Sequence, residues 1–209
     1  LTTAAFSVAL DATSSYAIEG NDDAIYLVGN NAVTMYRYTP SSNTWATITP
    51  AVARTAAPGA GLSLHWVYAS DAPNWANEST IINGRRLYSF RGAGGNLLDV
   101  YDIASNSWSA VTYGRQAEVI NAGVSYGFDG VNRIICQISP VANLPVRYVA
   151  YDVREQSLLP IGALLYPPGA VLLGDKACVQ EYDDGVGTPL KLLFQLRHSG
   201  TELHRCELI

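Results

Sequence analysis

The chain has 209 residues and a net charge of −5; 48% of its residues are apolar and 15% charged. That is the composition of a globular chain with a sizeable core rather than a disordered one. The acidic balance, without a basic stripe, argues against a nucleic-acid binder, and no apolar run reaches the length of a membrane span.

Only two of the 13 basic residues are lysines, Lys176 and Lys191. Cys136, Cys178 and Cys206 are too few and too scattered for a disulfide framework. Each lies in an apolar or alternating run, the setting of a buried thiol. The sequence opens on Leu1, which reads as a processed chain or a piece of a longer one.

In chain order, residues 5–10 form a first short apolar run. A unit of four then begins. Residues 15–18 and 24–28 alternate on either side of the turn Gly20-Asn21-Asp22-Asp23. A third run ends in Tyr38, and after a polar turn a fourth runs from Trp45 to Ile48. The same order returns at 64–69, 86–90, a run ending in Tyr101, and 108–111. It returns again at 123–128, 134–138, a run ending in Tyr151, and 158–161. A last copy has 177–182, 190–196 and a run through Cys206. Trp follows Tyr by seven residues in the first two copies, and Leu158 stands in the Trp place of the third. Period-two alternation, β-branched and aromatic residues and short Asp/Asn/Gly turns predict strands, and no helix of ten residues is convincing.

The unit is therefore four short strands repeated roughly every fifty residues. A four-stranded unit cannot cover both of its faces alone, and copies stacked radially make a β-propeller. The expected fold is all-β, one domain over 1–209, with four blades at about 14–50, 62–112, 122–162 and 175–209. The last copy lacks its fourth strand, and residues 4–10 would supply it, with Phe6 in the Trp place. Tyr38, Trp45, Tyr101 and Trp108 are then expected between blades, in the core.

An apolar strand ending in a Gly pair, followed by a spaced Tyr and Trp, resembles the blade motif of the kelch-repeat family. The second copy matches best, from Leu87 through Gly92, Gly94 and Gly95 to Tyr101 and Trp108. The first keeps Gly29, Tyr38 and Trp45 but has Asn30-Asn31 for a second Gly; the third keeps Tyr151. The resemblance implies a propeller but no particular activity.

Kelch-like folds include copper oxidases with His and Tyr ligands. Of His65, His198 and His204, only His204 has a ligand-type neighbour at strand spacing, Cys206, and a metal needs three or four converging groups. No metal and no cofactor are expected. Asp22, Asp23, Asp71, Asp129, Asp183 and Asp184 fall in the connections between first and second strands, where tight turns demand such residues. A ring of them could also hold calcium or a basic partner. The Gly92–Gly95 stretch leads into a strand, not a helix, and no serine sits in a nucleophile elbow. No catalytic residues are assigned.

The surplus lies in the loops. Residues 71–84 carry Asn74 and Trp75 among polar neighbours, and residues 139–147 carry Asn143. The connections at 50–61 and 163–174 are long, apolar and Ala- and Pro-rich, and the second holds Tyr166-Pro167-Pro168. Such segments suit contact with other proteins. The expected function is a non-enzymatic structural or interaction propeller. It would bind other protein subunits in a larger homo- or hetero-oligomeric assembly such as a phage tail or connector. The alternative is a secreted carbohydrate-binding, oxidase or glycosidase propeller.

Overall fold

The computed structural model describes residues 6, 14–19, 24–29, 32–59, 62–68, 85–92, 97–112, 126–128, 133–138, 147–153, 156–160, 176–182, 190–196 and 203–208. Among them there are strands and turns but no helix. The first sheet holds β1 (Ser15–Glu19), β2 (Ala24–Val28), β3 (Met35–Thr39) and β4 (Thr44–Ile48) in that order. The second holds β5 (His65–Tyr68), β6 (Arg85–Phe90), β7 (Leu97–Asp102) and β8 (Ser107–Thr112). The third holds β9 (Tyr126–Phe128), β10 (Arg133–Ile138), β11 (Arg147–Asp152) and β12 (Ser157–Pro160). The last has three described strands, β13 (Lys176–Tyr182), β14 (Leu190–Leu196) and β15 (Leu203–Leu208). Every sheet is an antiparallel meander, and the strands fall where the repeat predicts them, to within a few residues.

The register fixes what the repeat means. Tyr38 lies opposite Trp45, Tyr101 opposite Trp108 and Tyr151 opposite Leu158. The seven-residue spacing is therefore one cross-strand pair at the mouth of a hairpin. The turn between them is closed by a residue with positive φ at the same place each time: Asn43 at 51°, Asn106 at 52° and Gln156 at 50°. Asn tolerates that backbone better than most residues. Its side chain also accepts a hydrogen bond from the anchor tyrosine, Tyr38 Oη to Asn43 Oδ1 at 2.8 Å and Tyr101 Oη to Asn106 Oδ1 at 2.6 Å. The repeated motif is thus Tyr, Asn and Trp together. A second repeat flanks it in the middle sheets, where Arg86 faces Asp102 and Arg133 faces Asp152 across neighbouring strands.

The first three sheets pack face to face in succession, as propeller blades do. Side chains alternate between faces, so Leu87, Tyr101 and Trp108 share the face turned to the first sheet. They are buried there with Ala17, Ala24, Tyr26, Val28 and Met35. Tyr26 and Tyr101 meet at 6.4 Å between ring centroids. The next interface repeats this: Tyr88, which takes the register place of Tyr26, lies 6.4 Å from Tyr151, and Phe90 meets the same ring edge-on at 6.0 Å. At both interfaces the second strand of one sheet is turned toward the third strand of the next. The first strands also draw together, β1 against β5 and β9 against β13.

Gly29 packs closely against Ser14. A Cβ there would stand 2.7 Å from Ser14 Oγ, so a larger residue would require that hydroxyl to move. Gly92 follows β6 with φ of 69°, a left-handed backbone that glycine adopts freely.

The anchors of the first sheet differ from the expectation of a shared core. Tyr101 and Trp108 are buried, but Tyr38 and Trp45 are only half-buried. Their face is turned away from the second sheet. Phe6 packs on it, 4.4 Å from Trp45 and 5.2 Å from Tyr36 between centroids, and Tyr16 on the same face is 64% exposed. Phe6 belongs to the segment expected to complete the last sheet; the rest of that segment lies outside the described residues.

Trp108→Ala should therefore cost about 3–5 kcal/mol, as a large buried side chain does. Trp45→Ala should cost about half as much, since its ring already keeps part of its surface in water. Urea unfolding of the two variants checks the difference; equal costs would mean that the first sheet's outer face is fully covered in solution.

Candidate functional site: a buried arginine pair under an exposed connection

Trp75, Asn74, Asn143, Tyr166, Pro167 and Pro168 lie outside the described residues, as do the acidic turn residues and His198. His204 and Cys206 are two apart on β15, as expected. The place where charge, burial and exposure do come together is the connection from β4 to β5.

This connection leaves β4 and runs along the outer edge of β8. Val52 bridges Ser107 in parallel, Ala51 N donates to Asn106 O at 2.7 Å, and Trp108 N donates to Val52 O at 2.9 Å. Asn106 Nδ2 reaches back to Thr49 O at 2.9 Å, so the turn asparagine also ties the two sheets together. Further on, Gly59 N donates to Arg91 O at 2.8 Å, and Ser63 N donates to Phe90 O at 3.2 Å. The connection is thus held at both ends, yet Ala51, Val52, Ala53, Thr55, Ala56 and Ala57 are exposed, Val52 at 55%. Its one charged residue, Arg54, turns the other way and is buried.

Arg54 enters the interface between the first two sheets. Its guanidinium carbon lies 4.2 Å from the centroid of the Trp108 ring, a cation–π stack. Nη2 donates to Ser89 Oγ. Nε stands 2.9 Å from Asp99 Oδ2, an ion pair by distance but not an aligned hydrogen bond. The aligned bonds to Asp99 come from Arg91, whose fork gives Nε to Oδ2 at 2.8 Å and Nη2 to Oδ1 at 2.6 Å. Arg91 Nη2 also reaches Thr55 Oγ1 in the connection. Asp99 is 1% exposed, directly opposite Ser89 and on the face that Tyr101 shares. Two guanidiniums thus hold one carboxylate.

The electrostatics follow from that count. Burial lowers the Arg54 pKa to about 10; Asp99 opposes the shift and Arg91 adds to it. Arg54 therefore stays a cation at neutral pH. For Arg91 the hydrogen bonds to Asp99 dominate and raise its pKa. Buried charges are tolerated only when paired, so Asp99 is the member on which the others depend.

Sequence patterns did not point to this cluster. The signals were present, in an Asp inside the apolar run LLDVYD at a position sharing the face of Tyr101, and in the single charge of an Ala- and Pro-rich connection.

His65 opens β5 opposite Tyr88, on the face turned from the first sheet. Its Nε2 is shut off from solvent although the residue keeps some exposed surface. Burial drives its pKa from 6.5 down to about 4, so it is neutral at pH 7.

No family model matches the chain, and no curated protein matches it. The kelch resemblance thus remains one of motif. Solved structures do match. Hydrazine synthase of Kuenenia stuttgartiensis is 8% identical, with 93% of this chain and 53% of that one covered and a TM-score of 0.45. TolB from Acinetobacter baumannii is 15% identical over 95% and 43%, with a TM-score of 0.44. A Hadza microbial sialidase is 8% identical over 94% and 45%, with a TM-score of 0.47. The chain spans about half the length of these structures. Likenesses this loose carry no argument, and the all-β fold of antiparallel meander sheets rests on the sheets themselves.

Asp99→Asn should destabilise by about 3–5 kcal/mol, because it leaves two buried cations without a counter-charge; urea unfolding reads this directly. His65 gives a pH signature. Its folded pKa lies below the unfolded one, so its contribution is complete above pH 6.5 and is lost as pH falls toward about 4. The loss should reach about 3 kcal/mol. The His65→Gln variant should lack this slope between pH 4 and 6.5, measured as the difference in unfolding free energy from the wild type.

Proposed function

We propose that the chain is a non-enzymatic interaction module: a propeller-type domain that binds other protein subunits in a larger assembly, of which a phage tail or connector is one concrete form. We take it as a kelch-like ring of four blades, with residues 4–10 completing the last. The observation that supports an interaction role is the connection from β4 to β5. It presents an uncharged row of small apolar side chains to solvent while its backbone is hydrogen-bonded along β8 and anchored by buried Arg54. A surface ordered before binding loses little entropy on contact. Low charge and near-absence of lysine fit a subunit with much of its surface covered.

The wild-type chain should self-associate at micromolar concentration in sedimentation velocity. Val52→Arg, which places a charge on the exposed row, should shift it toward monomer without moving the melting temperature. A wild type that stays monomeric, or a Val52→Arg variant that assembles normally, overturns the assembly reading at this surface. Turnover of a glycosidic or oxidisable substrate by the purified chain would overturn the non-enzymatic one.

A further inference from the structure

The interface between the first two sheets is short of a hydrogen-bond acceptor. Arg54 Nη1 and Trp108 Nε1 are both buried, and neither has a hydrogen-bond partner. Both groups are donors only, so they cannot satisfy each other. They belong to one place, since the Arg54 guanidinium carbon sits 4.2 Å from the Trp108 ring centroid. Among the described residues the side-chain acceptors that touch the cluster are engaged: Ser89 Oγ by Arg54 Nη2, Thr55 Oγ1 by Arg91, and both Asp99 oxygens by the Arg91 fork. A buried donor left unmade is costly, and more so on a charged group. Among the described residues the cluster also carries two cations and one anion, an excess of one positive charge. A water molecule could accept the bonds but would leave that charge uncompensated.

We propose that this interface is a binding site for one small monovalent anion, of the size of chloride or acetate, which accepts from Arg54 Nη1 and Trp108 Nε1. The anion completes the count of the cluster at two positive and two negative charges. It lies directly beneath the exposed connection, since Ala53 and Thr55 on either side of Arg54 are exposed. Occupancy joins the first sheet's connection to the second sheet's Trp108, so the ligand acts as a fastener between the two sheets. This goes beyond the assembly reading and does not depend on it.

The test is thermal unfolding of the purified chain titrated with sodium chloride and, separately, sodium acetate. A bound anion raises the melting temperature along a saturating curve, by about 3–6 °C at ten times its dissociation constant. Trp108→Phe keeps an aromatic ring over the guanidinium but removes the indole N–H; it should bind about 5–10-fold more weakly, the worth of one hydrogen bond. Arg54→Met should show no saturating rise with either salt, and where that variant fails to fold, Trp108→Phe decides. The proposal is overturned by a rise that is linear in salt and equal in wild type and variants. It is also overturned by a saturating rise whose midpoint Trp108→Phe leaves unchanged, which would put the anion elsewhere. Chloride and acetate titrations distinguish a halide site from a carboxylate site by which one saturates at lower concentration.

Discussion

The packing of one sheet's second strand on the next sheet's third strand is the constraint that everything else here obeys. An antiparallel four-stranded sheet of this composition has apolar residues on both faces, and neither can be left wholly in water. The tyrosine pairs Tyr26–Tyr101 and Tyr88–Tyr151 solve this twice in the same way, with tilted rings at the same 6.4 Å separation. Tyrosine suits the place because its ring fills the interface while its hydroxyl can reach a polar partner at the edge. For Tyr101 that partner is Asn106, which also bonds back to Thr49, the residue that follows β4. One turn residue thus closes its own hairpin, fixes the anchor ring and ties two sheets together.

The first sheet shows the same hairpin with less cover. Tyr38 and Asn43 make the same hydrogen bond as Tyr101 and Asn106, and the Tyr38–Trp45 rings sit at the same 5.1 Å as Tyr101–Trp108. The motif therefore forms from local register alone, whether or not a neighbour buries it. Burial then decides how much each copy contributes to stability, which separates what the repeat specifies from what the stacking adds.

Strand order and register were legible because both depend on period-two patterning and on turn residues, and these survive in a single sequence. Leu158 could be placed opposite Tyr151 by counting from Trp45 and Trp108. The turn asparagines are not legible in the sequence, because polar turns are common and nothing local marks a residue whose φ is positive. Arg54 is not legible for a different reason. Its partners Asp99, Ser89 and Trp108 are remote in sequence, and the pairing exists only once two sheets have met. A buried charge cluster is a tertiary event, whereas the hairpin motif is a local one.

Charge in such an interface has a structural consequence. Apolar contact between sheets is non-directional and would tolerate a slide or a rotation of one sheet on the next. The polar contacts to the connection do not: the Arg91 fork fixes the Asp99 carboxylate within the second sheet by two aligned bonds at 2.6 and 2.8 Å, and the connection is held against that point. Thr55 and Arg54 carry that fixed point into the connection, and the Val52–Ser107 bridge extends it along the edge of β8. The exposed row from Ala51 to Ala57 therefore inherits its position from a buried ion pair rather than from its own sequence, which has little of its own to order it. A loop of small side chains becomes a defined surface only because one arginine within it points inward.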